Sequence, residues 1–291
     1  MPININTKMV TLLGKPLSQS YAARMQNAAY RASRINMLYF YTEVDDKHLG
    51  DVINGLRHMN FAGFAVTKPN KVEVIKYVDE LDPLCKKMNA SNTVVCRDGK
   101  LIAYNTDGTG FYRSLQEEAP DIILSDNVFL CIGAGGAGRA IASVLSYNGA
   151  KKIYIADVDH RAAKELADDI NRNFSPIAEL VDPGDKKGLQ RAVASSQIVM
   201  NNTGIGMAAT ADQTPIPQEF LRPGQLCFDA TYNPSKTRFL IEAEEVGCRI
   251  MNGLGMSLHQ GAEQIELWSG QKAPIEVMRK ELLAILSYSS E

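Results

Sequence analysis

The feature that most constrains the fold is a run of glycines set between two patterned segments. Val128 to Ile132 is a continuous apolar stretch, as expected for a strand buried on both faces of a parallel sheet. Gly133-Ala134-Gly135-Gly136-Ala137-Gly138 follows, and then Arg139 to Asn148 reads as a helix. A G-x-G-x-x-G pattern alone is a weak signal, but between a buried strand and a helix it marks a dinucleotide-binding turn. Gly133 permits the tight turn, Gly135 lets the backbone approach a pyrophosphate, and Gly138 lets the helix pack on the strand. Free N–H groups at the helix start then hold the phosphates.

Asp157 ends the next strand. An acidic side chain there accepts hydrogen bonds from both ribose hydroxyls of NAD and repels a 2′-phosphate. Asp159 adds to the repulsion, and Val158 rather than an arginine follows Asp157, although Arg161 is close. The charges therefore point to NAD, with NADP as the alternative.

Strand and helix patterns alternate along the chain of 291 residues. Met9–Leu13, Leu38–Val44 and Phe61–Val66 read as strands, with helices over Ala22–Arg34 and Lys47–Met59. Such alternation implies a mainly parallel sheet. A second series starts near Asn127, with strands at Lys152–Ala156, Gln197–Met200 and Gln225–Ala230 and a helix at Arg161–Asn171. Leu258–Trp268 and Ile275–Ser287 read as closing helices. The fold class is α/β in two domains. An N-terminal α/β substrate domain spans 1–112 and is completed by 254–291. A Rossmann-type, doubly wound, parallel-sheet nucleotide domain spans 113–253.

The formal net charge is −2, which leaves no electrostatic footprint for nucleic acid or an anionic membrane. The apolar runs are far shorter than a membrane span, and the first residues lack the basic stretch and apolar core of a signal peptide. The cysteines number five and form no Cys-x-x-Cys pair, so a disulfide framework or zinc site is not expected and a cytoplasmic location fits. The four histidines are scattered, and no metal site is expected.

Three further segments place small polar side chains directly after apolar stretches. These are Gly63 to Lys71, Asn89 to Thr93 and Asn105 to Gly108. Open α/β sheets bind their ligands in loops at strand C-termini. Thr67, Asn92 and Asp107 are candidates to meet a polyhydroxylated substrate. Lys71 is the candidate to exchange a proton with its hydroxyl, with Asp107 orienting the amine.

Together these segments resemble the shikimate dehydrogenase family. The family pattern G-x-P-x-x-H-S-x-S-P is similar to Gly14 to Ala23, G-x-N-V-T-x-P-x-K to Gly63 to Lys71, and A-x-N-T-V to Ala90 to Val94. N-T-D-G-x-G-F is matched by Asn105 to Phe111, and N-x-T-x-x-G-M is similar to Asn201 to Met207. D-x-x-Y-x-P-x-x-T is similar to Asp229 to Thr237, and G-x-x-M-x-x-x-Q to Gly253 to Gln260. Met25-Gln26-Asn27, Pro69-Asn70-Lys71 and Gln260 to Gln264 look closest to the quinate/shikimate branch.

The resemblance implies an NAD(P)-dependent oxidoreductase that interconverts shikimate, quinate or both with the 3-dehydro ketone. It makes Lys71 and Asp107 the catalytic pair. Ser20, Thr67, Asn92, Tyr232 and Gln260 would hold substrate. Gly133, Ala134, Gly135, Gly136, Ala137, Asp157, Thr203, Tyr232 and Gly253 would line the cofactor. Met207 and Met256 would flank the nicotinamide. The partner is a small ring acid, and the chain is expected to be a monomer or homodimer.

The chain departs from the family pattern at Gln19, Ala22, Ala23 and Ala65. Ala22 removes one hydroxyl from the pair that binds the ring carboxylate, with Tyr21 or Arg24 as candidate replacements. Two other readings stay open. One is a dehydrogenase of a related ring acid or polyol, and the other a non-catalytic NAD-binding sensor.

Overall fold

The structure is a computed structural model that describes residues 3–18 and 20–288. The departure at Gln19 lies outside the described residues. The chain forms two compact units. One comprises the residues up to Thr106 together with those from Leu258 onward, and the other comprises Asp107–Ser257.

The first unit opens with β1 (Lys8–Gly14), α1 (Ala22–Ala32), β2 (Met37–Glu43), α2 (Leu49–Arg57) and β3 (Phe61–Val66). It continues with β4 (Glu80–Leu81), α3 (Pro83–Met88), β5 (Thr93–Arg97) and β6 (Lys100–Tyr104). The sheet order is β2-β1-β3-β5-β6-β4. β1 runs parallel to β2 and β3, and β4 parallel to β6, but β5 is antiparallel to both β3 and β6. The sheet is mainly parallel, as the strand–helix alternation implies, and β5 alone runs against the other five strands. The cause is Asp98-Gly99, where φ is 51° and 78°. Two consecutive residues of positive φ make the tight hairpin turn that reverses the chain between β5 and β6.

Every residue of β3 is buried. Phe64 and Val66 join Leu13, Val94, Leu101 and Ala103 of the sheet, and Leu49, Ile53 and Leu56 from α2, in one core. Each such large apolar side chain contributes about 1.5–3 kcal/mol on burial. α3 shows its cause in sequence: Pro83 takes the first helical position, the Asp82 side chain accepts from the Leu84 and Cys85 amides, and Asn89 ends the helix in the left-handed region.

α4 (Thr106–Glu118) leads into the second unit, which contains β7 (Val128–Ile132), α5 (Gly136–Tyr147), β8 (Lys152–Ala156) and α6 (His160–Asn173). Then come β9 (Ala178–Val181), α7 (Lys186–Ser195), β10 (Ile198–Asn201), β11 (Leu226–Asp229), α8 (Arg238–Val246) and β12 (Arg249–Asn252). The chain returns through α9 (Leu254–Ser269) and α10 (Ile275–Tyr288). All six strands of this sheet are parallel, in the order β12-β11-β10-β7-β8-β9. This is the doubly wound arrangement, with its topological switch between β7 and β10. α5 starts at Gly136 rather than Arg139, because the glycines of the turn also supply the first helical turn.

The division between the units falls at Thr106/Asp107 and Ser257/Leu258, not at 112/113 and 253/254. Side-chain chemistry explains the shift. Thr106 is bonded to Asn92 of the first unit. Gly108 lies so close to α5 that a Cβ there would come 2.9 Å from the Ala140 carbonyl oxygen. At the other end, a Cβ on Gly255 would collide with Ser114 and Glu118 of α4, so the first turn of α9 packs within the second unit. No helix among the described residues is long and apolar enough to cross a membrane.

Candidate functional site

In the first unit the candidate residues are held by the ends of β1, β3 and β5. The turn from Thr67 to Lys71 is stitched to its neighbours on both sides. The Thr67 amide donates to Leu13 O at 2.8 Å, and the Lys15 amide to Lys68 O at 3.0 Å. Asn70, fully buried, donates from Nδ2 to Val44 O at 3.1 Å. The Ser91 amide donates to Lys71 O at 2.8 Å, which pins the backbone of Lys71 beside Asn92.

Asn92 is the hub of this unit. Its Oδ1 accepts the Thr106 amide at 2.7 Å and the Thr93 hydroxyl at 3.0 Å, and its Nδ2 donates to Thr106 Oγ1 at 2.9 Å. Asn105 is tied in by Nδ2 donating to Ala90 O at 3.0 Å. One short segment, Ser91–Asn92, thus holds the main chain of Lys71 and the residue immediately before Asp107.

Ser20 is held by Tyr41, a residue that no sequence pattern flagged. The Tyr41 hydroxyl donates to Ser20 O at 2.7 Å and accepts the Ala23 amide at 3.0 Å. Arg24 donates from Nε to Glu281 of α10 at 2.6 Å. That ion pair ties α1 to α10 within the unit. Gln260 lies on α9 and is half-buried.

In the second unit the candidates stand at the carboxyl ends of the parallel strands. The glycine turn leaves β7 with Gly133 at φ 101°. A Cβ on Gly138 would collide with the Gly133 carbonyl oxygen, whereas Cβ atoms on Gly135 and Gly136 would meet nothing within 4 Å. Helix and strand therefore pack through Gly138, and the turn stays open at Gly135 and Gly136. Asp157, at the end of β8, braces the turn. Its Oδ2 accepts the Ala134 amide at 2.6 Å and its Oδ1 the Asp159 amide at 2.9 Å. Thr203, after β10, is exposed; its hydroxyl donates to Asn201 Oδ1 at 2.7 Å and accepts the Ile205 amide. Tyr232 follows β11 and Gly253 follows β12, where a Cβ would collide with Ala230 O. Met207 is 44% exposed and Met256 buried.

Sequence reasoning missed two polar groups here. Asp229 is fully buried at the end of β11. Burial pushes its carboxyl up, against the Thr231 amide, the Thr237 hydroxyl and Asn201 pulling it down. Asn201 Nδ2 and Thr237 Oγ1 donate to Oδ2 at 2.9 and 2.7 Å. Asp229 therefore ties β10 to the start of α8. Asp229→Ala strands three buried donors, each costing about 1–3 kcal/mol. A melting temperature lower by about 6 °C or more is expected, and a calorimetric scan that matches the parent refutes the bracing role. The second missed group is Asn202, buried against the glycine turn, whose side-chain Nδ2 and Oδ1 have no hydrogen-bond partner. Burial pushes the Cys85 thiol up to about 12 and the Cys131 thiol further up.

A doubly wound parallel sheet with a glycine turn at its switch point, joined to a second α/β unit, defines a dinucleotide-binding oxidoreductase. Residues 12–94 match the shikimate dehydrogenase substrate binding domain and residues 253–283 the shikimate 5′-dehydrogenase C-terminal domain, while 129–251 match the saccharopine dehydrogenase NADP binding domain. The chain belongs to the shikimate dehydrogenase family. It is 38% identical to the shikimate dehydrogenase (NADP(+)) of Moorella thermoacetica, covering 99% of this chain and 97% of that protein. The crystal structure of shikimate 5-dehydrogenase from Listeria monocytogenes, in complex with shikimate and NAD, superposes with a TM-score of 0.93 at 36% identity, over 97% of this chain and 98% of that one. Quinate dehydrogenase from Corynebacterium glutamicum, in complex with NAD, gives a TM-score of 0.89 at 28% identity, over 96% of this chain and 99% of that one.

The preference for NAD drawn from Asp157 and Val158 is overturned. The curated relatives that span nearly the whole chain are named for NADP(+). The structure supplies the physical reason that the acidic strand end misleads. Both oxygens of Asp157 are taken by main-chain amides, and Asp159 Oδ1 caps α6 through the Arg161 and Ala162 amides. A carboxylate engaged in this way is a poor marker of an acceptor reserved for ribose.

Proposed function

We propose that the chain is an NADP(H)-dependent shikimate dehydrogenase, interconverting shikimate and its 3-dehydro ketone. The observation that carries this reading is the Ser91–Asn92 segment, which holds the Lys71 backbone and the residue before Asp107. The glycine turn fits a dinucleotide: its helix starts open at Gly135 and Gly136, and an orphaned buried carboxamide lies against it. Gly133 to Ala137 would take the pyrophosphate on main-chain amides. Asp157 would brace the turn, and Thr203, Tyr232 and Gly253 would line the nicotinamide half. The cofactor supplies the hydride chemistry.

Lys71 relays the hydroxyl proton of the ring, and Asp107 orients it. Ser20, Thr67, Asn92, Tyr232 and Gln260 fix the ring by its hydroxyls and carboxylate. Such prepositioning supplies much of the acceleration. Quinate is the second reading, supported by the likeness to quinate dehydrogenase.

An assay of reduced nicotinamide formation with NADP, run on shikimate and on quinate, decides between them. Shikimate is expected to exceed quinate in kcat/KM by about tenfold or more, since a site built for one set of hydroxyls discriminates strongly against another. Turnover of neither acid would reject the reading.

A further inference from the structure

Gln26 and Gln264 have no part in the proposed chemistry, yet both are almost completely buried, at 0% and 3% exposure. A buried polar side chain is costly unless its hydrogen bonds are made, so their partners show what they are for. Gln26 Nε2 donates to Gly261 O at 3.0 Å and to Gln264 Oε1 at 3.2 Å. Gln264 Nε2 donates to Thr93 Oγ1 at 2.9 Å. Thr93 Oγ1 in turn reaches Asn92 Oδ1 at 3.0 Å and Thr106 Oγ1 at 3.1 Å. The path ends at the Thr106 amide, 2.7 Å from Asn92 Oδ1.

Both ends of this path are main-chain groups of fixed chemistry. A carbonyl, Gly261 O, can only accept, so the amide atom of Gln26 that faces it is nitrogen. An amide, Thr106 N–H, can only donate, so the atom of Asn92 that faces it is oxygen. Between these ends each side chain has one orientation that leaves no clash of donors. Gln264 must present its oxygen to Gln26 and its nitrogen to Thr93. The Thr93 hydroxyl is then an acceptor from Gln264, and its own proton turns toward Asn92 or Thr106. Gln26 Oε1 is left without a partner, so the donor side of that amide is satisfied at the expense of its acceptor.

We infer that Gln264, backed by Gln26, is a positioning residue: through Thr93 it locks the Asn92 carboxamide and so the start of α4, where Asp107 stands. The inference rests on the proposed shikimate reading for its effect on turnover, but the lock itself does not depend on the substrate. Linked bonds of this kind in a buried setting polarise and hold one another, so removing one link loosens the others.

The test uses the full chain and two readouts. Gln264→Met keeps the volume and removes the donor, and Thr93→Val removes the hydroxyl while Thr93→Ser keeps it. In Gln264→Met and Thr93→Val the exchange of the Thr106 amide hydrogen, followed by NMR, should quicken about tenfold or more. Their kcat/KM for shikimate should fall roughly tenfold to a hundredfold, with NADPH affinity within about twofold of the parent as evidence of an intact second unit. Thr93→Ser should restore both readouts to near parental values. Parental amide exchange and parental kcat/KM in Gln264→Met overturn the proposal, as does loss in Thr93→Ser equal to that in Thr93→Val. If Gln264→Met does not fold, the two Thr93 variants decide. If the parent turns over no ring acid, the shikimate reading fails, and amide exchange at Thr106 still accepts or rejects the lock.

Discussion

Lys71→Ala is expected to lower turnover of shikimate by roughly 10²–10⁴, the usual worth of a positioned proton-transfer group, while leaving NADPH affinity nearly unchanged. The split follows from where the residue stands. Lys71 belongs to the unit formed by the residues up to Thr106 and from Leu258 onward, whereas the glycine turn belongs to Asp107–Ser257. Its backbone is held by the Ser91 amide, a bond that truncating the side chain leaves in place, so the fold should survive. Steady-state kinetics beside a fluorescence titration of NADPH measure the two effects. Near-full turnover in this variant would remove Lys71 from the mechanism.

The second large effect is expected at the glycine turn, where two substitutions should fail for different reasons. A side chain at Gly138 has no room, because its Cβ would overlap the Gly133 carbonyl oxygen. Gly133 already sits at φ 101°, a conformation that restricts how the turn can yield. Gly138→Val should therefore lower the melting temperature, at a cost of about 1–3 kcal/mol or more for overpacking, and weaken NADPH binding by roughly a hundredfold or more. Gly135→Ala is the contrast. Nothing in the protein lies within 4 Å of its added methyl, so the melting temperature should hold. Binding should still weaken, because the methyl occupies the path by which backbone and pyrophosphate approach. If Gly135→Ala binds NADPH like the parent, the pyrophosphate does not use this turn.

Much of the nucleotide unit was legible in sequence. Val128–Ile132, the glycines after it and the strand Lys152–Ala156 carry their own signals, and the observed bounds of those strands agree with the reading. What the reading missed was short or locally ambiguous. β9 is exposed or half-buried at every position, so no apolar run marks it. The hairpin at Asp98-Gly99 went unread because the flanking strands are only five residues each, and the strand–helix alternation elsewhere suggested a parallel neighbour. Asp157 shows the limit for site residues. An acidic residue at a strand end has one meaning if its oxygens face ribose and another if they brace the turn, and the identity of the residue is the same in both.

The sequence alone settled the chemistry available at each loop and the pairing of a nucleotide fold with a polar-loop α/β unit, because periodicity and turn residues are local properties carried by neighbouring positions. Only the tertiary structure decided which residues are spent on one another. Gln26, Thr93, Gln264 and Thr106 come from distant parts of the chain and meet in a single hydrogen-bond path. Arg24 is likewise claimed by Glu281. Hydrogen bonding is short-ranged and directional, so its partners are selected by packing, and spacing along the chain does not reveal them.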